Sequence, residues 1–225
     1  MRAKTNKKNR KKAICLISGG LDSAVVAGIV NRRKYELFFL FFNYGQKNYK
    51  HELKAVEYLS SFYRCKKLLI IKLPFLKMFG GSALFDPKKT LNEKNFLKEY
   101  VPFRNSQFLS IATAWGEVLG VDSIFIGSTG GDHICPDNSK KFLLAFQKLA
   151  REGTLINKKI KIEAPLKNVN KTGVLKIGIR LKVPYEITWS CHNNFKEMCG
   201  HCSNCLARVR AYKENNVKNK IQVIG

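Results

Sequence analysis

Apolar segments of strand length alternate with segments of helical periodicity along most of this chain. Five short apolar runs lie at 13–17, 35–42, 68–73, 123–127 and 160–163. Apolar residues recur at helical spacing over 24–30, 47–63, 105–119, 142–149, 170–181 and 206–214. Strands that alternate with helices favour a parallel sheet covered on both faces. The pattern therefore predicts an α/β fold with a doubly wound, parallel, five-stranded sheet.

The stretch 75–102 follows neither period and is expected to be irregular. Irregular segments of this length are usually functional or mobile.

The chain has 225 residues, which suits one α/β domain with a substantial core. We expect a basic arm over 1–12, one α/β domain over 13–185, and a cysteine-rich appendage with a terminal helix over 186–225.

The charge balance is strongly basic. Lysine and arginine number 41 against 16 acidic residues, which gives a formal net charge of +25. Seven of these cations fall in 1–12, so we expect a disordered arm there. The charge either attracts anions, such as a nucleotide, a carboxylate or nucleic acid, or only solvates the surface. Basic and aromatic residues do not interleave in one patch, which argues against nucleic acid as a partner.

Neither a membrane span nor a signal peptide is visible. No apolar run approaches the roughly 20 residues that a spanning helix needs. The basic N-terminus is not followed by the apolar segment of a secretory signal. We therefore expect a cytoplasmic protein without a membrane partner.

The first predicted strand ends in the turn Ser18-Gly19-Gly20-Leu21-Asp22-Ser23, which leads into a helix. Ligands of open α/β sheets bind at the carboxyl ends of strands, and N–H groups at a helix N-terminus bind anions. Glycine allows close approach of the backbone, and the two serine hydroxyls can donate to phosphate oxygens. Asp22 beside an anion implies a metal ion or a role in fixing the loop. The alternative is a serine–glycine turn that only caps the helix.

Four of the seven cysteines crowd into fifteen residues, at Cys191, Cys199, Cys202 and Cys205. In a reducing compartment this clustering indicates metal binding rather than disulfides. Four thiolates suit a tetrahedral Zn²⁺ ion, and a closed four-sulfur site is structural because it leaves no position for water. An iron–sulfur cluster and unlinked thiols are the alternatives. Four cysteines complete the site, so the neighbouring His192 and His201 are not expected to be ligands.

The loop Ser18–Ser23 resembles the pyrophosphate loop of the N-type ATP pyrophosphatases, in the adenine nucleotide α-hydrolase superfamily. Combined with the cysteine pattern, it resembles the 7-cyano-7-deazaguanine synthase family, which makes the nitrile precursor of queuosine and archaeosine. Five more segments match that family in order, at 43–46, 101–105, 127–137, 163–166 and 188–191. The resemblance extends from about Ala13 to Lys213.

The resemblance implies an ATP-dependent ligase of Rossmann-like fold. Its substrate, 7-carboxy-7-deazaguanine, is adenylated and converted by ammonia to an amide, and a second adenylation leads to 7-cyano-7-deazaguanine. ATP, Mg²⁺ and a structural Zn²⁺ are the implied cofactors. The implied catalytic residues are Ser18, Asp22, Ser23 and Arg104. The implied nucleotide-binding residues are Leu16, Ile17, Ser18, Gly19, Gly20, Leu21, Asp22, Ser23 and Gln46. The implied substrate-binding residues are Arg104, Asp132, His133 and Asp137.

Several of these assignments have structural alternatives. Arg104 can clamp a phosphate or the carboxylate, or it can form a surface ion pair. Asp132 and Asp137 can read the edge of the base or cap a loop. His133 can orient the substrate or be a hydrogen-bonded loop residue. Gln46 is expected to contact adenine or ribose.

Some positions depart from the family pattern. They are Asn43, Thr129, Cys135, Asn138, Ser139 and His192. Most lie in the expected base-binding region. A related antiphage enzyme, which conjugates the activated deazaguanine to a protein amine, therefore remains an alternative.

Two further functions are tested by the sequence pattern. A nucleic-acid-binding zinc ribbon would need a basic face, but 186–205 contains Lys196 as its sole lysine or arginine. A tRNA-thiolating relative would need a reactive pair of cysteines near the loop and outside the zinc site, but Cys15 is expected to be buried, which leaves Cys135 alone. A homodimer is compatible with the sequence.

Overall fold

A five-stranded parallel sheet forms the centre of the molecule. The computed structural model describes residues 10–86, 88–130, 135–155 and 160–218. The strands are β1 (Lys12–Leu16), β2 (Glu36–Asn43), β3 (Lys67–Lys72), β4 (Ser123–Phe125) and β5 (Lys161–Glu163). Their order is β3-β2-β1-β4-β5, and every neighbouring pair is parallel. The predicted sheet is confirmed, with β1 beginning at Lys12, the last residue assigned to the arm.

The helices of the described residues also follow the predicted pattern. They are α1 (Leu21–Arg32), α2 (Tyr49–Phe62), α3 (Pro74–Phe79), α4 (Arg104–Leu119), α5 (Lys140–Glu152), α6 (Lys171–Arg180) and α7 (Ser203–Glu214). Short 3₁₀ segments lie at Glu93–Glu99, Pro136–Asn138 and Tyr185–Ile187. The prediction that 75–102 is irregular throughout was wrong. Pro74 ends the strand but also begins α3, since proline is favoured in the first turn of a helix.

The three central strands, β1, β2 and β4, are buried on both faces, which explains their continuous apolar runs. Phe38, Leu40 and Phe42 of β2 face a core cluster that contains residues of α4 and α5 together with the four clustered cysteines. Phe39 and Phe41 face the opposite cluster, which contains residues of α1, α2, α6 and α7. The cysteine-rich segment is therefore packed into the same core as the sheet.

The strand order reverses direction at β1. The chain runs outward from β1 to β2 and β3, and then returns to place β4 on the other side of β1. In open α/β sheets, this reversal opens a crevice at the carboxyl ends of the two strands. Gly127, just after β4, lies so close to the start of α1 that a Cβ there would be 3.2 Å from the Ser23 backbone nitrogen. The crevice therefore brings the phosphate-loop candidate against the residues that follow β4.

None of the helices in the described ranges has the length and apolar character needed to cross a membrane.

Candidate active site

The loop Ser18–Ser23 lies at this crevice and is closed by its own hydrogen bonds. The Ser23 hydroxyl accepts from the Ser18 backbone N–H at 3.1 Å and donates to the Gly20 carbonyl at 3.0 Å. The Ser18 and Ser23 hydroxyl oxygens lie 3.2 Å apart. Within the described ranges, no side chain caps the N-terminus of α1. The first N–H groups of α1, and the positive end of its dipole, are therefore available to an anion.

Gly19 explains why the loop needs glycine. Its φ of 74° lies in the left-handed region, and a Cβ there would be 2.6 Å from the Glu52 carbonyl oxygen. The Gly19 carbonyl accepts from the Trp189 backbone N–H at 2.9 Å. The loop is thus held between α2 on one side and the segment before Cys191 on the other.

Asp22 is paired with a cation that sequence reasoning missed. Lys171, in the first turn of α6, donates to Asp22 Oδ2 at 2.6 Å. Asp22 Oδ1 is buried and has no hydrogen-bond partner among the described residues. Asn170 caps α6, because its side chain accepts from the Gly173 N–H. That cap places Lys171 at the start of α6, but the contact with Asp22 spans 149 positions and has no local signal.

The loop opens into a cleft with a volume of about 620 Å³. This size is typical of sites that enclose a small molecule. The predicted nucleotide-binding residues that line the cleft are Leu16, Ile17, Ser18, Gly20, Leu21, Asp22, Ser23 and Gln46. Gly19 is not among the lining residues, because it faces α2.

Arg104 lies in the same cleft, in an aromatic setting. Its guanidinium carbon is 5.2 Å from the ring centroid of Tyr44 and 5.8 Å from that of Phe108. Nη1 donates to the Tyr44 hydroxyl at 3.0 Å, and Nε is buried without a partner among the described residues. Burial raises the pKa of Tyr44 to about 12, so the phenol stays neutral. The ion pairs of the described chain do not include Arg104, which leaves its charge available to a ligand.

The side-chain amide of Gln46 is engaged mainly in hydrogen bonds to other residues of the protein. Its Oε1 accepts from the Tyr44 N–H at 2.9 Å, and its Nε2 donates to the Phe42 carbonyl at 3.0 Å and to Glu52 Oε2 at 2.8 Å. Both amide hydrogens are therefore engaged. Glu52 also lines the cleft, and burial raises the pKa of its carboxyl group.

Asp137 lies behind the cleft rather than in its lining. Its carboxylate accepts from the Asn105 backbone N–H at 2.7 Å and from the Asn105 side chain at 3.4 Å, at the start of α4. Phe103, just before α4, has a φ of 53°, which is strained for a residue other than glycine. Asp137 thus stabilises the backbone that presents Arg104. Asp132 and His133 lie outside the described residues.

Most departures from the family pattern are found in the cleft. Its lining includes Thr129, Cys135, Asn138 and His192. His192 Nδ1 is 3.1 Å from Glu99 Oε2, and its Nε2 is 2.7 Å from Asn204 Nδ2. Ser139 instead caps α5, where its hydroxyl accepts from the Phe142 N–H. The predicted burial of Cys15 is confirmed, with none of it exposed.

The four cysteines form one buried cluster. Their sulfur atoms all lie within 4.8 Å of one another, and those of Cys199 and Cys205 are 3.9 Å apart. The Cys191 sulfur accepts from the backbone N–H groups of Asn193 and Cys199 at 3.3 and 3.4 Å. Gly200 has a φ of 75°, which makes the tight turn between two of the cysteines. The cluster is compatible with one metal ion, and the histidines nearby are not part of it.

Comparisons with known proteins agree with this geometry. A family model described as queuosine biosynthesis protein QueC matches residues 12–216. A 7-cyano-7-deazaguanine synthase of Chloroherpeton thalassium is 37% identical over 217 residues, with 94% of this chain and 96% of the relative covered. One of Campylobacter jejuni subsp. doylei is 36% identical over 219 residues, with 94% and 98% covered.

Solved structures share the fold. A 4-thiouridine synthetase, solved as a complex with RNA and bound ATP, has a TM-score of 0.51 at 19% identity. The match covers 79% of this chain and 42% of that one. An NMN synthetase from Francisella tularensis also has a TM-score of 0.51, at 15% identity, with 94% of this chain and 80% of that one covered.

Proposed function

Since the chain belongs to the family of the queuosine biosynthesis protein QueC, we propose that it is an ATP-dependent ligase that converts 7-carboxy-7-deazaguanine to 7-cyano-7-deazaguanine. The observation that carries the proposal is one cleft with a glycine loop and an uncapped helix N-terminus at one end and, in its wall, Arg104, which forms no ion pair with any described residue. Such a cleft can bind a polyphosphate and a carboxylate side by side. Adenylation requires that arrangement, because it joins these two groups.

The proposed reaction begins with attack of a carboxylate oxygen on the α-phosphorus of ATP. A new O–P bond forms, the bond to the β-phosphate breaks, and pyrophosphate leaves. Ammonia then attacks the acyl carbon, AMP leaves, and loss of a proton gives the amide. A second ATP activates the amide oxygen in the same way. Departure of AMP, with loss of both amide protons, leaves the nitrile.

The phosphate end of the cleft neutralises the charge that builds up on pyrophosphate. The N–H groups of α1 and the Ser18 hydroxyl can donate to phosphate oxygens, and Lys171 supplies a fixed cation beside them. Its pairing with Asp22 holds the ammonium group at the loop before the nucleotide binds. We therefore add Lys171 to the proposed catalytic residues Ser18, Asp22 and Ser23.

Two metal ions fit the donor atoms of this chain. The buried, unpartnered Asp22 Oδ1 suits Mg²⁺, a cation that prefers oxygen ligands. When bound there, it would supply charge neutralisation for the departing pyrophosphate. The four clustered thiols suit Zn²⁺, which would cross-link the segment after Cys191.

Arg104 is proposed to hold the carboxylate of the substrate, and Asp132 and His133 are expected from the family resemblance to contact its base. Its planar fork can donate two hydrogen bonds to a carboxylate. We expect Arg104→Lys to raise the KM for 7-carboxy-7-deazaguanine roughly tenfold or more, since lysine lacks the fork. Steady-state pyrophosphate release gives the KM for each substrate. Arg151→Lys, on the exposed face of α5, is the matched control. If Arg104→Lys raises only the KM for ATP, Arg104 clamps a phosphate instead.

The conjugation of a deazaguanine to a protein amine remains the second candidate. It is favoured by the departures from the family pattern that line the cleft, which include Thr129, Cys135 and Asn138. These residues can change the acceptor while the phosphate loop keeps its chemistry.

The product assay separates the two functions. We expect pyrophosphate release that depends on 7-carboxy-7-deazaguanine, and with ammonia a product mass that moves from the acid to the amide and then to the nitrile. Benzoate should not replace the substrate, because a site that hydrogen-bonds a base rejects analogues that leave its polar groups unpaired. Equal rates with benzoate would contradict the substrate assignment. An amide that forms but never dehydrates, joined to a protein amine, would favour conjugation.

A further inference from the structure

Arg208 of α7 is a buried cation held by neutral acceptors. Only 2% of its surface is exposed. Nη1 donates to the hydroxyls of Thr188 and Ser190 at 2.7 and 3.1 Å. Nη2 donates to the Tyr185 carbonyl and the Tyr212 hydroxyl, both at 2.7 Å. Among the residues that the structure describes, no carboxylate lies within ion-pair distance of Arg208.

A guanidinium without a counter-ion is an unfavourable way to fill a core. Burying an unpaired charge costs free energy, and burial lowers the pKa of Arg208. Its Nε is also buried, with no acceptor in the described part of the chain. Methionine or leucine would fill the same volume without this cost. Stability alone therefore does not account for Arg208.

The acceptors of Arg208 flank the residue that contacts the phosphate loop. Thr188 and Ser190 lie on either side of Trp189, whose N–H donates to the Gly19 carbonyl. The Trp189 carbonyl oxygen is 3.5 Å from the place that a Cβ would take at Gly20. The indole stacks on His51 with ring centroids 3.9 Å apart. A displacement of residues 188–190 would therefore move the Trp189 backbone atoms that contact the phosphate loop at Gly19 and Gly20.

We propose that Arg208 is a positioning residue for the phosphate loop. It fixes Thr188 and Ser190, so that Trp189 keeps Gly19 and Gly20 in the conformation that receives the nucleotide. Cys205 lies on the same helix, so α7 connects the cysteine cluster to the loop. This inference rests on the proposed function, because it assumes that the loop binds ATP.

Fluorescence of Trp189 can test the inference without an activity assay. The chain has two tryptophans, so Trp115→Phe leaves Trp189 as the sole indole. In that background we expect Arg208→Gln to shift the Trp189 emission and to weaken ATP binding roughly tenfold, as expected for losing a charge-assisted hydrogen bond. Arg208→Lys should retain part of the affinity, because it keeps the charge but not the fork. The rate of pyrophosphate release at saturating ATP should change less than the affinity.

Arg210→Gln is the matched control, since Arg210 is exposed on the same helix. Circular dichroism and metal content establish that each variant is folded. A folded Arg208→Gln protein with unchanged emission and unchanged ATP affinity would overturn the inference. If Arg208→Gln does not fold, the Trp189 emission and the ATP affinity are measured on Arg208→Lys instead. A folded Arg208→Lys protein in which neither quantity changes would likewise overturn the inference. If the wild-type protein does not bind ATP, the proposed function fails, whereas the emission of the Arg208 variants still tests the placement of Trp189.

Discussion

Asp22→Ala is expected to slow substrate-dependent pyrophosphate release by roughly 10²- to 10³-fold, the usual effect of removing one group that stabilises transition-state charge. The substitution releases Lys171, which is now held 2.6 Å from Asp22 Oδ2. It also deletes Oδ1, the proposed Mg²⁺ ligand. Both losses reduce the charge neutralisation available to the departing pyrophosphate. The rate is measured at saturating ATP and 7-carboxy-7-deazaguanine.

The fold should survive this change. Side chains of the Asp22–Lys171 pair are 23% and 24% exposed, and partly solvated ion pairs contribute only about 1 kcal/mol or less to the free energy of unfolding. Glu57→Ala, which removes an exposed carboxylate from α2, is the matched control and should leave the rate unchanged. AMP release by Asp22→Ala at the wild-type rate would reject the role of the loop.

Ser23→Ala should impair substrate-dependent pyrophosphate release by a similar factor, but for a different reason. The Ser23 hydroxyl joins the Ser18 N–H to the Gly20 carbonyl, so its loss opens the loop rather than changing its charge. A comparison of the two variants therefore separates loop geometry from loop electrostatics. Ser23→Ala should raise the KM for ATP, whereas Asp22→Ala should act mainly on the rate at saturation.

Features encoded by neighbouring residues were predictable from the sequence. Strand β2 is buried on both faces, and this burial produces a continuous apolar run that needs no tertiary information to recognise. The turn Ser18–Ser23 is similar, because a glycine turn between a strand and a helix is a local pattern, whereas its binding of phosphate stays a prediction. The N-cap at Asn170 follows from its side chain and the start of helical periodicity.

Features that depend on distant contacts could not be predicted. Lys171 and Asp22 meet only because α6 packs beside α1 in the folded chain. Asp137 carries a polar side chain in a promising segment, but its oxygens are taken by Asn105 from another element. Gln46 is a different case, because the groups that occupy its amide, on Phe42, Tyr44 and Glu52, all lie within six positions of it. The roles of Asp132 and His133 stay predictions.

The second large effect is expected at the cysteine cluster. Purified protein should contain about one equivalent of zinc, and Cys202→Ser should lose it and melt at a markedly lower temperature. Metal binding contributes roughly 10 kcal/mol or more to zinc-finger folding, which is comparable with the whole stability of a domain. The cluster lies in the core shared with α4 and α5, so loss of the metal should destabilise the α/β domain as well as the cysteine-rich segment. Elemental analysis and thermal unfolding provide the two measurements.

Cys65→Ser is the matched control, because it removes a half-buried thiol outside the cluster and should leave the metal content unchanged. A strong chelator should lower the melting temperature of the wild type but not that of Cys202→Ser. The geometry favours a single ion, since Zn–S bonds of about 2.3 Å in a tetrahedron place sulfurs ~3.8 Å apart, close to the 3.9 Å between Cys199 and Cys205. A multi-iron cluster would place iron and sulfide between the thiolates and separate them further. Iron with labile sulfide, or an active protein without metal, would therefore contradict the zinc assignment.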